Sequence, residues 1–191
     1  MGSRWLRWVT PNQLSLVRIL AIPVLLWLIA LGRPWAAYLA LVLFVFACLT
    51  DYWDGNLARE RNEVSRVGKL LDPIADKMLI AASLLILLAE GHAGLVPTVV
   101  IVLREFAISG LRQVAAAEGV VLAAVKGAKW KTLLQMIAVG MLLLHHGPLG
   151  LPMEAAGRVM LWVAALWTLV TGYWYFSDYF RTPGAEEERS V

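Results

Sequence analysis

The sequence predicts an all-α integral membrane protein with six transmembrane helices and a short N-terminal interfacial helix. Of its 191 residues, 60% are hydrophobic, and the mean hydropathy of +0.68 is far above that of an ordinary soluble domain. Six apolar stretches each approach the roughly 20 residues that a spanning helix needs. Cys48 is the single cysteine, which excludes an internal disulfide and a cysteine-based zinc site.

The predicted elements follow one another with short connections. Trp5 and Trp8 beside Arg4 and Arg7 indicate the interfacial helix. Thr10-Pro11 then supplies an N-cap and a first helical proline for the first span. Breaks rich in Gly and Pro separate the predicted spans, which are residues 12–32, 35–58, 69–90, 95–116, 129–146 and 153–177. We therefore expect one membrane domain over 1–181 and a polar tail over 182–191.

The distribution of positive charge predicts the orientation. Of the 17 Lys and Arg residues, twelve fall on one side of the predicted spans, two on the other and three within spans. The rich side is cytoplasmic by the positive-inside rule, which places both termini inside. The net charge of +3 is small, so we expect no nucleic acid partner.

Two aspartate clusters lie at the cytoplasmic face of this arrangement. Asp51 and Asp54 close the second predicted span, and Asp72 and Asp76 open the third. Spacings of three and four residues put each pair on one helical face, and the short connection makes the two helices antiparallel neighbours. Four carboxylates near membrane depth are costly unless cations compensate them. Oxygen ligands favour one or two Mg²⁺ or Mn²⁺ ions; purely structural ion pairs with nearby Arg and Lys are the weaker interpretation.

Small residues and an arginine accompany the acids. Gly55 and Ala58 remove side-chain bulk where a large ligand would approach. Arg59 supplies a fork of donors that suits a phosphate group. The second helix therefore offers a phosphate-binding surface beside the carboxylates.

These residues match the pattern D-x2-D-G-x2-A-R-x8-G-x3-D-x3-D at every fixed position, and in this the chain resembles the CDP-alcohol phosphotransferase family. The resemblance implies six membrane helices, a homodimer and a binuclear metal site at the cytoplasmic face. It also implies transfer of a phosphatidyl-type group from a CDP-linked lipid to an alcohol, with release of CMP. The implied metal ligands are Asp51, Asp54 and Asp72, with Asp76 as the general base that also touches the second metal. The implied CDP-lipid pocket contains Asn12, Gly55, Ala58, Arg59 and Gly68; for Asn12, helix capping is an equal alternative.

The acceptor is indicated by three further runs, 11–18, 104–112 and 126–135. They resemble the branch of the family that uses CDP-diacylglycerol and sn-glycerol 3-phosphate to make phosphatidylglycerophosphate in the bacterial plasma membrane. A phosphorylated acceptor needs cations beyond those that hold the CDP-lipid, and the candidates are Arg104, Arg112, Lys126, Lys129 and Lys131. For each lysine, plain topology or contact with anionic lipid is an equal alternative. Arg104 lies well inside a span, so it either pairs with an acid such as Glu105 or faces a polar cavity.

Two other functions stay open at this point. The same chemistry could use another acceptor, such as inositol phosphate, serine or phosphatidylglycerol. A divalent-cation transporter could use the four aspartates as its ion site, but it leaves Gly55, Ala58 and Arg59 unexplained. His145 and His146 are predicted to be interfacial residues whose rings point apart on a helix, rather than a metal site.

Overall fold

The computed structural model describes residues 11–61, 66–120, 127–147 and 150–181. Within these ranges the fold is all-helical and contains no strand. The helices are α1 (Pro11–Ala30), α2 (Pro34–Arg61), α3 (Arg66–Ala89), α4 (Leu95–Ala117), α5 (Ala128–Leu143) and α6 (Met153–Arg181). The predicted interfacial helix before Pro11 and the predicted tail 182–191 lie outside the described residues.

The observed helices confirm the predicted helical segments to within a few residues. Pro11 and Pro34 open α1 and α2, where a missing backbone N–H costs nothing. Gly32 follows the end of α1 and has a φ of 59°, which is the left-handed conformation that glycine adopts most readily. Both aspartate clusters are incorporated into helix, because α2 runs on to Arg61 and α3 begins at Arg66.

The helices pack around an apolar core. α1 lies against both α2 and α3, while α6 lies against α4 and α5. Fully buried side chains such as Phe44, Leu84 and Leu142 fill the centre. Large apolar side chains also cover the outside, among them Leu103 and Phe106. An apolar exterior of this extent is typical of a surface that contacts lipid rather than water.

The six predicted membrane spans are supported in part. Among the described residues, Met153–Arg181 is the one helix that is both long and apolar enough to cross a membrane. Leu16–Ala30, Pro34–Thr50 and Lys77–Ala89 are apolar but shorter. Six spans therefore remain a prediction.

Candidate active site

The four aspartates lie on two helices that α1 bridges. Asp51 and Asp54 are near the C-terminal end of α2, and Asp72 and Asp76 are in the first half of α3. Since both segments are helical, the members of each pair share a helical face, as their spacing predicts. Their side chains, with those of Asn12, Gly55, Ala58, Arg59 and Gly68, lie outside the described part of the structure.

The donor set of these two helices suits a hard divalent cation. Carboxylate oxygens are the ligands that Mg²⁺ and Mn²⁺ prefer. Among the side chains that the structure describes, no group of three or more His, Cys, Asp or Glu residues is placed to hold a metal ion. The four aspartates, which fall outside that set, remain the predicted metal ligands.

A buried ion-pair cluster joins α4 to α5. Lys131 Nζ donates a hydrogen bond to Glu105 Oε1 at 2.6 Å. Arg104 donates to the same oxygen from one terminal guanidinium nitrogen at 3.2 Å. The side chains of Arg104, Lys131 and Glu105 are 8%, 12% and 14% exposed. Of the two alternatives for Arg104, the structure therefore shows the pairing with Glu105.

Arg104 also reaches across to α6. Its second terminal nitrogen donates to Thr171 Oγ1 at 3.1 Å, and its guanidinium carbon lies 5.8 Å from the centre of the Tyr175 ring. Gly172 lies directly beside this side chain, since a Cβ there would be in van der Waals contact, at 3.4 Å, with both Cγ and Nε of Arg104. The buried Nε has no hydrogen-bond partner in the described part of the chain. Gln135 extends the polar layer by donating to Thr168 Oγ1 at 3.1 Å.

A second polar contact on α4 was not predicted. Lys77, which directly follows Asp76, donates from Nζ to Ser109 Oγ. Ser109 Oγ in turn donates to the backbone carbonyl of Glu105 at 2.6 Å. The available sequence signal was an ionisable residue inside a span, which is a functional candidate by default. Lys77 is one of the three cations within the predicted spans, and no role in the site was predicted for it.

The remaining predicted cations differ in placement. The side chains of Arg112 on α4 and Lys129 on α5 are exposed, and Lys126 lies outside the described residues. The start of α5 is fixed by Gly127, whose φ is 104° and whose carbonyl accepts a hydrogen bond from Trp167 Nε1 at 3.2 Å. This contact ties the basic end of α5 to α6.

The histidine prediction was wrong in its geometry. α5 ends at Leu143, so His145 and His146 lie in a turn that relaxes the helical constraint. Their ring centres are only 4.0 Å apart, and His92 stacks on His145 at 3.7 Å. His92 Nδ1 also lies 3.6 Å from Glu154 Oε2. The three rings therefore pack together at the turns after α3 and α5.

Sequence comparison gives the same family as the aspartate pattern. The sequence model of the CDP-alcohol phosphatidyltransferase family matches residues 8–171. The CDP-diacylglycerol–glycerol-3-phosphate 3-phosphatidyltransferase of Rickettsia bellii is 41% identical over 167 residues, which are 87% of this chain and 92% of the relative. The Bacillus subtilis protein of the same name is 41% identical over 179 residues, with 87% and 93% covered.

Structural comparison gives the same fold. A crystal structure of Mycobacterium tuberculosis phosphatidylinositol phosphate synthase with CDP-DAG bound superimposes with a TM-score of 0.72. The superposition covers 94% of this chain and 91% of that one at 21% identity. Because the family match spans most of the chain, this protein belongs to the CDP-alcohol phosphatidyltransferase family, whose members are membrane-embedded enzymes of phospholipid synthesis.

Proposed function

We propose that this enzyme transfers the phosphatidyl group from CDP-diacylglycerol to sn-glycerol 3-phosphate, giving phosphatidylglycerophosphate and CMP. The observation that carries the proposal is the 41% identity, over 87% of the chain, to relatives that bear the name of this activity. The eight fixed positions of the family pattern, which lie on α2 and α3, support the same chemistry.

The reaction is a direct displacement. Asp76 accepts the proton of the acceptor hydroxyl, whose oxygen forms a bond to the phosphorus that carries the diacylglycerol. The bond from that phosphorus to the bridging oxygen of CMP breaks, and CMP leaves with the electron pair. Asp51, Asp54, Asp72 and Asp76 would hold two Mg²⁺ or Mn²⁺ ions, which offset charge on the pyrophosphate and on the leaving group.

The CDP-lipid would be held by residues of α1, α2 and α3. Arg59 pairs with a phosphate of the nucleotide, while Gly55 and Ala58 leave space for it. Asn12 and Gly68 complete this pocket. The acyl chains stay among the apolar outer surfaces of the helices, so the lipid reacts without leaving the bilayer.

The acceptor phosphate would be held by the basic residues of α4, of the start of α5 and of the connection between them. Arg104 and Lys131 are the buried members of this set, and both are already oriented by Glu105. Arg112 and Lys129 are exposed and available to an incoming soluble substrate. Lys126 belongs to the same basic run.

The membrane arrangement is part of the proposal. Residues 1–181 form a six-span domain of the bacterial plasma membrane, with the termini and the active site on the cytoplasmic side and the polar tail 182–191 following it. This orientation gives glycerol 3-phosphate, a soluble metabolite, direct access to the carboxylate end of the helices. A homodimer follows from the family resemblance. The apolar exterior supports membrane insertion.

CMP release by the purified full-length protein tests the function. The assay contains Mg²⁺ or Mn²⁺, CDP-diacylglycerol in detergent or lipid, and one acceptor at a time. We expect release with glycerol 3-phosphate and none with inositol phosphate, serine or phosphatidylglycerol. Release with one of those alcohols instead would overturn the acceptor assignment. If no acceptor gives CMP release and the protein carries cations into proteoliposomes, the enzyme assignment is wrong and the transporter interpretation is correct.

A further inference from the structure

We propose that Lys77 is a further binding residue for the acceptor phosphate, and that Ser109 and Glu105 of α4 position Lys77 and Lys131 around that phosphate. The inference rests on the proposed function, because it takes the acceptor to be a phosphate ester. It adds a residue of α3 to a phosphate site that sequence reasoning placed on α4, on α5 and in the connection between them.

One face of α4 holds a lysine from each of two neighbouring helices. Ser109 accepts a hydrogen bond from Lys77 of α3, and Glu105 accepts one from Lys131 of α5. Ser109 Oγ donates a hydrogen bond to the backbone carbonyl of Glu105 at 2.6 Å, which connects the two residues that hold the lysines. Because they are four residues apart, these two residues are separated by about 6 Å along the helix axis. The two ammonium groups are therefore brought to adjacent turns of one surface.

The charges of this cluster favour an anionic ligand. Of the side chains that the structure describes, Arg104 and Lys131 contact the carboxylate of Glu105, and Lys77 contacts Ser109 one turn further along α4. Bringing like charges together in a partly buried layer is unfavourable unless an anion joins them. A phosphate ester carries up to two negative charges, which would pair with these cations. Its oxygens accept hydrogen bonds of about 2.8 Å from each ammonium group.

The position of Lys77 in the chain fits this acceptor. In glycerol 3-phosphate the reacting hydroxyl and the phosphate lie at opposite ends of a three-carbon chain. The base and the phosphate site must therefore be neighbours. Lys77 follows Asp76 directly in α3, so consecutive residues would serve the two ends of one small substrate.

A structural role is the competing interpretation of Lys77. In that case the ammonium group only anchors α3 to α4 through Ser109. Removing it would then disturb the helix that carries Asp72 and Asp76, and both substrates would be affected alike. The phosphate role predicts instead an effect that is confined to the acceptor.

Steady-state kinetics of Lys77→Met separates these roles. We expect the KM for glycerol 3-phosphate to rise about tenfold or more, the usual effect of losing one charge-assisted hydrogen bond. The KM for CDP-diacylglycerol should stay within about twofold, which also shows that the variant is folded. Lys77→Arg should restore most of the acceptor affinity. Arg33→Met removes an exposed cation from the turn between α1 and α2 and should leave both constants unchanged.

Ser109 provides the test of positioning. Ser109→Ala should raise the KM for glycerol 3-phosphate by a few fold, less than Lys77→Met does, and Ser109→Thr should rescue it because the hydroxyl is kept. An equal rise of both KM values, or no change, in Lys77→Met would overturn the inference.

Failure of the proposed function would look different. If the wild-type enzyme uses another phosphorylated alcohol, Lys77→Met should raise the KM of that alcohol, and the inference stands. If the wild-type acceptor has no phosphate, the inference fails together with the acceptor assignment.

Discussion

Two carboxylates of this protein each gather a set of basic side chains, Glu105 in α4 and Glu154 in α6. Glu105 binds Lys131 and Arg104, and all three side chains are at most 14% exposed. Glu154 binds Arg158 at 2.6 Å, where the arginine is 51% and the glutamate 36% exposed. The two clusters use the same chemistry in opposite surroundings.

The difference in burial is the basis for the roles that we propose, a functional role for the Glu105 cluster and a structural role for the Glu154 cluster. Around Glu154, water and salt screen the charges, so the pair itself contributes little. Its use is mechanical, because Arg158 also donates to the carbonyls of Gly91 at 2.7 Å and His92 at 3.0 Å, and so ties the turn after α3 to α6. Around Glu105 the charges are withdrawn from water, and ionisable groups at such depth are retained mainly for function.

The largest effect should come from the carboxylate that carries the chemistry. Asp76→Asn should lower turnover at least about 100-fold, because a general base contributes about that much or more. Binding of CDP-diacylglycerol should be largely kept, since the other predicted metal ligands remain. CMP release and lipid binding would both be measured. The control is Glu154→Gln, which changes the exposed carboxylate of the Glu154 cluster and should keep wild-type turnover.

Turnover near the wild-type rate in Asp76→Asn would show that Asp76 is not the general base. Equal losses in Asp76→Asn and Glu154→Gln would show that the loss of turnover is not specific to the carboxylate of Asp76.

A stability measurement on the two glutamates compares the clusters directly. Glu105→Leu leaves Arg104 and Lys131 buried without their carboxylate, and breaking a buried pair in this way costs about 3–5 kcal/mol. Glu154→Leu should cost about 0–1 kcal/mol, as expected for an exposed pair. Thermal unfolding of both variants in the same detergent measures the difference. Similar shifts in midpoint would mean that burial does not distinguish the clusters.

Arg112 should show a smaller and selective effect. It is exposed on α4, two turns beyond Glu105, where it can meet a soluble phosphate without breaking a buried pair. Arg112→Ala should therefore raise the KM for glycerol 3-phosphate about tenfold with little change in the unfolding midpoint. Equal changes in the KM values of both substrates would move Arg112 out of the acceptor pocket.

The sequence predicted the parts of this molecule that depend on local pattern. Apolar stretches and punctuating Pro and Gly residues located all six helices, since Pro11, Pro34 and Gly32 act on the backbone next to them. The aspartate spacing likewise predicted the shared helical faces of Asp51 with Asp54 and of Asp72 with Asp76.

Contacts between distant residues could not be predicted in this way. Lys77 and Ser109 are 32 residues apart, and Lys131 and Glu105 are 26 apart. Their pairing depends on how α3, α4 and α5 pack, which periodicity alone does not fix. The prediction for the histidines was wrong for a local reason. α5 ends two residues before His145, so the helical geometry that would turn the two rings apart does not apply.

The smallest expected effect is the pH dependence of the unfolding midpoint, which depends on the histidine rings beside Glu154. Burial, followed by the neighbouring charges of His92 and His146, lowers the pKa of His145 from its ordinary value near 6.5. The unfolded chain therefore binds a proton more readily than the folded one. This contribution to stability is present above about pH 6.5 and is lost as the pH falls through the lower folded pKa.

The unfolding midpoint of the wild type should accordingly fall more between pH 7 and pH 5 than that of His145→Gln. His146→Gln removes one of the neighbouring charges that lower the pKa of His145 and leaves the burial of that ring in place. It should therefore weaken the pH dependence less than His145→Gln does. If the unfolding midpoints of wild type and His145→Gln depend equally on pH, protonation of His145 does not affect stability. The contacts between the turns after α3 and α5 would then stabilise the fold independently of pH.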